Sequence, residues 1–149
     1  MNLTLAQLQQ LAASVGFPDP ALAAAVAMAE SGGNPTIVGD TGPGVNGPSY
    51  GLWQIDVYYH PSYTQAQLDD PTTNARAALA ISSNGTNWTP WSTYNSGAYK
   101  KWYQPWTSPG LSTGEKLLIA GAAATVLTFG TIAVIDLLKG RPILYALRT

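Results

Sequence analysis

The chain has 149 residues, of which 46% are apolar and only 10% charged, and its formal net charge is −1. With no basic excess it lacks the positive face that a nucleic-acid partner requires, and its apolar fraction excludes disorder throughout. The absence of cysteine excludes a disulfide scaffold, a thiol nucleophile and a thiolate metal site, and the single histidine, His60, leaves no histidine cluster for a metal.

In chain order, the first element opens at Thr4. Thr4 with Gln7 three residues later reads as a capping box, and Leu5, Leu8, Leu11, Ala12 and Val15 recur at helical spacing until Gly16 stops the run. No basic region followed by an apolar stretch precedes it, so the expectation is a chain without a cleavable signal peptide. A second helix starts at Asp19-Pro20, an N-cap followed by proline at the first helical position. Residues 21–29 are apolar on every side, which predicts a helix enclosed by the rest of the domain and ending near Glu30-Ser31-Gly32-Gly33.

Residues 32–49 hold six glycines and three prolines and show no periodicity, the pattern of a functional loop. Residues 50–58 read as a short strand or extended segment. Asp70-Pro71 repeats the helix-start signal, with Ala75, Ala78, Leu79 and Ser82 on one face before Asn84-Gly85 breaks it. Residues 88–106 are rich in aromatics and are interrupted by Pro90, Gly97 and Pro105. These features predict a mainly helical α+β domain over residues 1–107 with a small β element, then a linker over 108–116.

Residues 117–135 contain no charge. As a helix they would span roughly 28 Å, close to the thickness of a bilayer's hydrocarbon core. The expectation is a single transmembrane helix over 117–138 and a basic tail over 139–149. Lys139, Arg141 and Arg148 in that tail place the C-terminus inside and the N-terminal domain outside. A lipid bilayer is thus an expected partner, and no nucleic acid, metal or cofactor is expected.

Glu30 is one of two glutamates and stands at the C-terminal end of an otherwise uncharged helix. The helix dipole and apolar neighbours both disfavour a carboxylate there, so its pKa should rise, as a general acid requires. Five tryptophans and eight tyrosines suit a sugar ligand, because aromatic faces stack on pyranose rings. Asp40 and Asp56 are the candidates for a second carboxylate, which a hydrolytic glycosidase needs. Asp40, standing before Thr41-Gly42, also reads as a turn residue.

Three motifs occur in order: Glu30-Ser31-Gly32-Gly33-Asn34-Pro35, Tyr50-Gly51-Leu52-Trp53-Gln54-Ile55 and Tyr94-Asn95-Ser96-Gly97. In this order and spacing the chain resembles the soluble-lytic-transglycosylase-like catalytic domain of the lysozyme-like superfamily, over about residues 3–106. The resemblance implies cleavage of the β-1,4 bond between N-acetylmuramic acid and N-acetylglucosamine in peptidoglycan strands. Glu30 would protonate the glycosidic oxygen and then act as base while the muramoyl 6-hydroxyl closes a 1,6-anhydro ring.

It further implies that Ser31 helps orient the site and that Gly51, Leu52, Trp53 and Gln54 line the groove. Tyr94 would hydrogen-bond Glu30, and Asn95 would hold an N-acetyl group. Trp53 departs from the methionine many members carry. The expected role is local wall penetration by a lipid-containing phage particle, beside other virion or envelope-machine proteins. The alternatives are a hydrolytic muramidase, a non-catalytic glycan-binding module, or a cell-encoded wall enzyme of a secretion or conjugation apparatus.

Overall fold

A computed structural model describes residues 1–44 and 46–107. Residues 1–106 form a compact unit. The expected linker, transmembrane helix and basic tail at 108–149 lie outside the described residues. Among the described residues no helix is long and apolar enough to cross a membrane.

The first helix, α1 (Leu5–Val15), carries the capping box at Thr4 and Gln7, and Gly16 closes it in the left-handed conformation. The second, α2 (Pro20–Ser31), starts on Asp19, whose side chain accepts from the Leu22 N–H. Ala21, Ala23, Ala24, Ala25, Val26 and Ala27 are all buried, as its unbroken apolar surface requires. Small side chains on several faces let neighbouring elements pack closely around it. The helix stops at Gly32, whose φ of 60° suits glycine and whose N–H returns to the Met28 carbonyl.

Three two-residue strands follow: β1 (Val38–Gly39), β2 (Ser49–Tyr50) and β3 (Ile55–Asp56). They form an antiparallel sheet in the order β1-β2-β3, with Gly39 opposite Ser49 and Ser49 opposite Asp56. The segment 50–58 is therefore a hairpin, not one strand. Its turn passes through Gly51 at φ 75° and Gln54 at φ 46°. A side chain at Gly51 would strike the Asn74 amide and the Leu68 carbonyl, so only glycine fits there.

Two further helices follow: α3 (Gln65–Leu68), opened by a second capping box at Thr64 and Gln67, and α4 (Pro71–Ile81) on its Asp70 cap. Asn74 is fully buried on the inner face of α4. It accepts from the Trp53 N–H at 2.9 Å and donates to the carbonyls of Tyr50 and Leu68, both at 2.9 Å. One side chain thus pairs three backbone groups that the tight hairpin turn and the end of α3 would otherwise leave unsatisfied. A one-turn helix α5 (Ser92–Asn95) and a 3₁₀ turn (Ala98–Trp102) complete the unit.

Trp53 lies at the centre of the core. Its indole N–H donates to the Ala23 carbonyl at 3.0 Å, and its own carbonyl accepts from the Trp91 indole at 2.7 Å. Phe17 stacks on Trp53 and on Trp88, with centroids 5.9 and 5.6 Å away, and Trp88 meets Trp91 at 5.1 Å. This aromatic chain joins the α1–α2 connection to α5, and so fixes α5 relative to the end of α2.

Candidate functional site

The last turn of α2, the sheet and α5 enclose a cleft of about 570 Å³, within the size range of small-molecule sites. Glu30, Asp40, Ser49, Gln54, Ile55 and Asp56 line it, together with Tyr59, His60, Ile81, Pro90, Trp91 and Ser92. No lysine or arginine is among them.

Glu30 is half-buried. Its Oε1 accepts from the Thr93 hydroxyl at 2.5 Å. Burial is the main influence on its carboxyl and pushes the pKa above the ordinary 4.5. The Thr93 hydroxyl and backbone N–H act the other way by favouring the charged form, while the charge of Asp40 adds to the upward push. The net direction is up, so protonated Glu30 persists to higher pH than an exposed glutamate would.

The facing wall comes from the sheet register. Gly39 and Asp56 flank Ser49, so Asp40, one residue past β1, comes within reach of the Ser49 hydroxyl, which donates to its Oδ2 at 2.5 Å. A side chain at Gly39 would clash with the Gln54 amide. That amide donates to the carbonyls of Gly51 (2.9 Å) and Ile37 (3.2 Å), locking the hairpin turn to the loop. Asp56 accepts from the Tyr58 N–H at 2.7 Å. Among the described residues no group of three or more His, Asp or Glu side chains is arranged to hold a metal ion.

The structure therefore gathers Glu30, Asp40, Gln54 and Asp56 around one cavity. The turn reading of Asp40 is compatible with this, because its φ of 52° does reverse the chain while its carboxylate faces the cleft.

Other sequence candidates fall elsewhere. Ser31 is buried, donates to the Ala27 carbonyl at 2.8 Å and accepts from the Gly33 N–H at 3.1 Å; it closes the helix and does not face the cavity. Gly51 is buried in the hairpin turn, and Leu52 and Trp53 have no exposed surface. These three belong to the core and brace Gln54 from behind, a correction to their expected place in the groove wall. The expected contact of Tyr94 with Glu30 is made by Thr93 instead. Within the single turn of α5, Thr93 points to Glu30 while Tyr94 stacks on Tyr99 with centroids 5.0 Å apart. Asn95 is exposed, donates to the Thr89 carbonyl at 2.8 Å, and does not line the cavity.

Sequence reasoning missed Ser49, Tyr59 and His60 as cleft residues and Thr93 as the partner of Glu30, and it did not single out Trp91 among the tryptophans. Ser49 had a usable signal, a small polar residue at the end of the glycine-rich loop. Thr93 had none, because the rotation of a one-turn helix is set by packing.

The description of a lysozyme-like domain family matches residues 9–93 of this chain. The chain belongs to the lysozyme-like domain family. No curated protein and no solved structure matches it. The mainly helical unit with its small three-stranded sheet fits the lysozyme-like fold, and membership indicates action on peptidoglycan by a glycosidase or transglycosylase.

Proposed function

We propose that this lysozyme-like protein is a lytic transglycosylase that cleaves the MurNAc-β-1,4-GlcNAc bond with Glu30 as the sole acid/base. The observation that carries this reading is the Glu30 carboxyl, held toward its protonated form by burial at the edge of a cleft of glycan size. Protonated Glu30 donates to the glycosidic oxygen as the bond to the muramoyl anomeric carbon breaks. The resulting carboxylate then takes the proton of the muramoyl 6-hydroxyl, whose oxygen closes on that carbon. Glu30 ends the cycle protonated, and no water is consumed. Thr93 holds the carboxyl in one orientation through both steps, and Ile81 and Trp91 add apolar surface to the same cleft.

Hydrolysis is the second reading, favoured by Asp40 lining the same cleft with its carboxylate held by Ser49. In that case Asp40 is the base for an attacking water. Mass analysis of soluble products from purified peptidoglycan separates the two. The proposal expects anhydro products one water lighter than hydrolysis gives, and none from Glu30→Gln. Hydrated products would establish the second reading, and binding without release of products would make the protein a glycan-binding module.

The same proposal includes membrane anchoring through residues 117–138, with the catalytic domain outside, in a lipid-containing phage particle. It rests on the uncharged run and the basic tail alone. Co-sedimentation of the full chain with lipid vesicles, and loss of sedimentation on truncation after residue 107, is the expected result.

A further inference from the structure

Tyr58 and Tyr59 are 59% and 64% exposed, although each carries a large apolar ring. Their rings meet edge to face, with centroids 5.1 Å apart and planes at 87°. This arrangement turns two ring faces in perpendicular directions. The pair is held from several sides. Asn46 Nδ2 donates to the Tyr59 hydroxyl at 3.0 Å, the Tyr58 N–H donates to Asp56, and a Cβ added at Gly47 would lie 3.0 Å from that of Tyr58. Exposed aromatic rings on a backbone held in this way form a surface on which a ligand can stack.

Tyr59 also lines the Glu30 cleft. Whatever lies on this pair is therefore continuous with what fills the cleft. Pyranose rings fit the chemistry on both counts. Their C–H faces stack on aromatic faces, and their hydroxyls find the amide of Asn46 and the carboxylate of Asp56 alongside. The cleft presents Glu30, Asp40 and Asp56 and no lysine or arginine, so a ligand there is held by stacking and hydrogen bonds and not by a cationic side chain.

We propose that Tyr58 and Tyr59 form an outlying sugar-stacking subsite that holds the glycan strand away from the bond broken at Glu30. This rests on the proposed function above and adds a residue-level claim about how a long strand is held.

The test measures binding of the full chain carrying Glu30→Gln to long glycan strands stripped of their stem peptides. The proposal expects Tyr58→Ala/Tyr59→Ala to weaken binding about tenfold, and Tyr58→Phe/Tyr59→Phe to stay within about twofold, because the ring faces remain. Equal binding by the Ala pair overturns the subsite. So does a loss seen only on intact peptidoglycan, which would make the occupant a stem peptide. If the native chain releases products while the Ala pair binds normally, the subsite alone fails. If the native chain releases nothing and Glu30→Gln binds no strand, both readings fail. Thermal unfolding of the Ala and Phe pairs at the parent's temperature excludes misfolding as the cause of any loss.

Discussion

The two walls of the cleft are built from different materials. Glu30 and Thr93 stand on α2 and α5, which the Trp53, Trp88 and Trp91 side chains tie into the core. Asp40, Ser49 and Tyr59 stand on a minimal sheet and its loops, where side-chain hydrogen bonds replace packing. The contrast is that a carboxyl is tuned by burial on the helical side, while the sheet side presents the exposed Asp40 and Tyr59, with Asp40 held by the buried Ser49 hydroxyl. Under the proposed function, chemistry and recognition fall to opposite faces of one cavity.

The largest expected effect concerns the helical wall. Glu30→Gln should lower release of soluble products from peptidoglycan at least about a thousandfold while glycan binding is retained. Normal turnover in that variant would remove the assignment of chemistry to this side.

Next in size is the joint between the walls. Asn74→Ala leaves one N–H and two carbonyls of the hairpin turn and the end of α3 without a partner. The expected cost is about 3 kcal/mol, seen as a fall in the unfolding midpoint of more than about 10 °C. A midpoint within a few degrees of the parent would show that the sheet holds itself together.

On the sheet wall, Asp40→Asn should reduce kcat by no more than about tenfold, against 10²-fold or more if Asp40 activates water. Removing its charge also removes an upward push on Glu30. The pKa of Glu30 falls, and the alkaline limb of the activity profile should move to lower pH. Thr93→Val should move the limb the other way, because the lost hydrogen bond favoured the charged carboxylate. Opposite shifts in the two variants would sharpen the division; shifts of the same sign would break it.

Much of the helical wall was legible in the sequence. The capping box at Thr4, the Asp19-Pro20 start and the uninterrupted apolar run before Glu30 are local signals, and α1 and α2 obey them. Glu30 stood out for the same reason, a lone charge at the end of an apolar helix. The sheet wall was less legible, since two-residue strands leave no alternation to read, and the hairpin was visible only as one extended segment. Leu52 and Trp53 show the cost of reading a motif as a surface. Their neighbour Gln54 faces the cleft, but the tight turn, tied to Asn74 through the Trp53 N–H, directs both of them inward. The partner of Glu30 was also out of reach, because one residue of rotation in α5 exchanges Thr93 for Tyr94.

The position of Trp91 has a practical outcome for anyone measuring this protein. Of the three tryptophans joined through the core, Trp91 lines the cleft, whereas Trp53 and Trp88 are enclosed and do not line it. A saccharide entering the cavity would change the surroundings of that one indole. The protein's intrinsic emission then becomes a label-free titration signal, and Trp91→Phe is the control that should silence it.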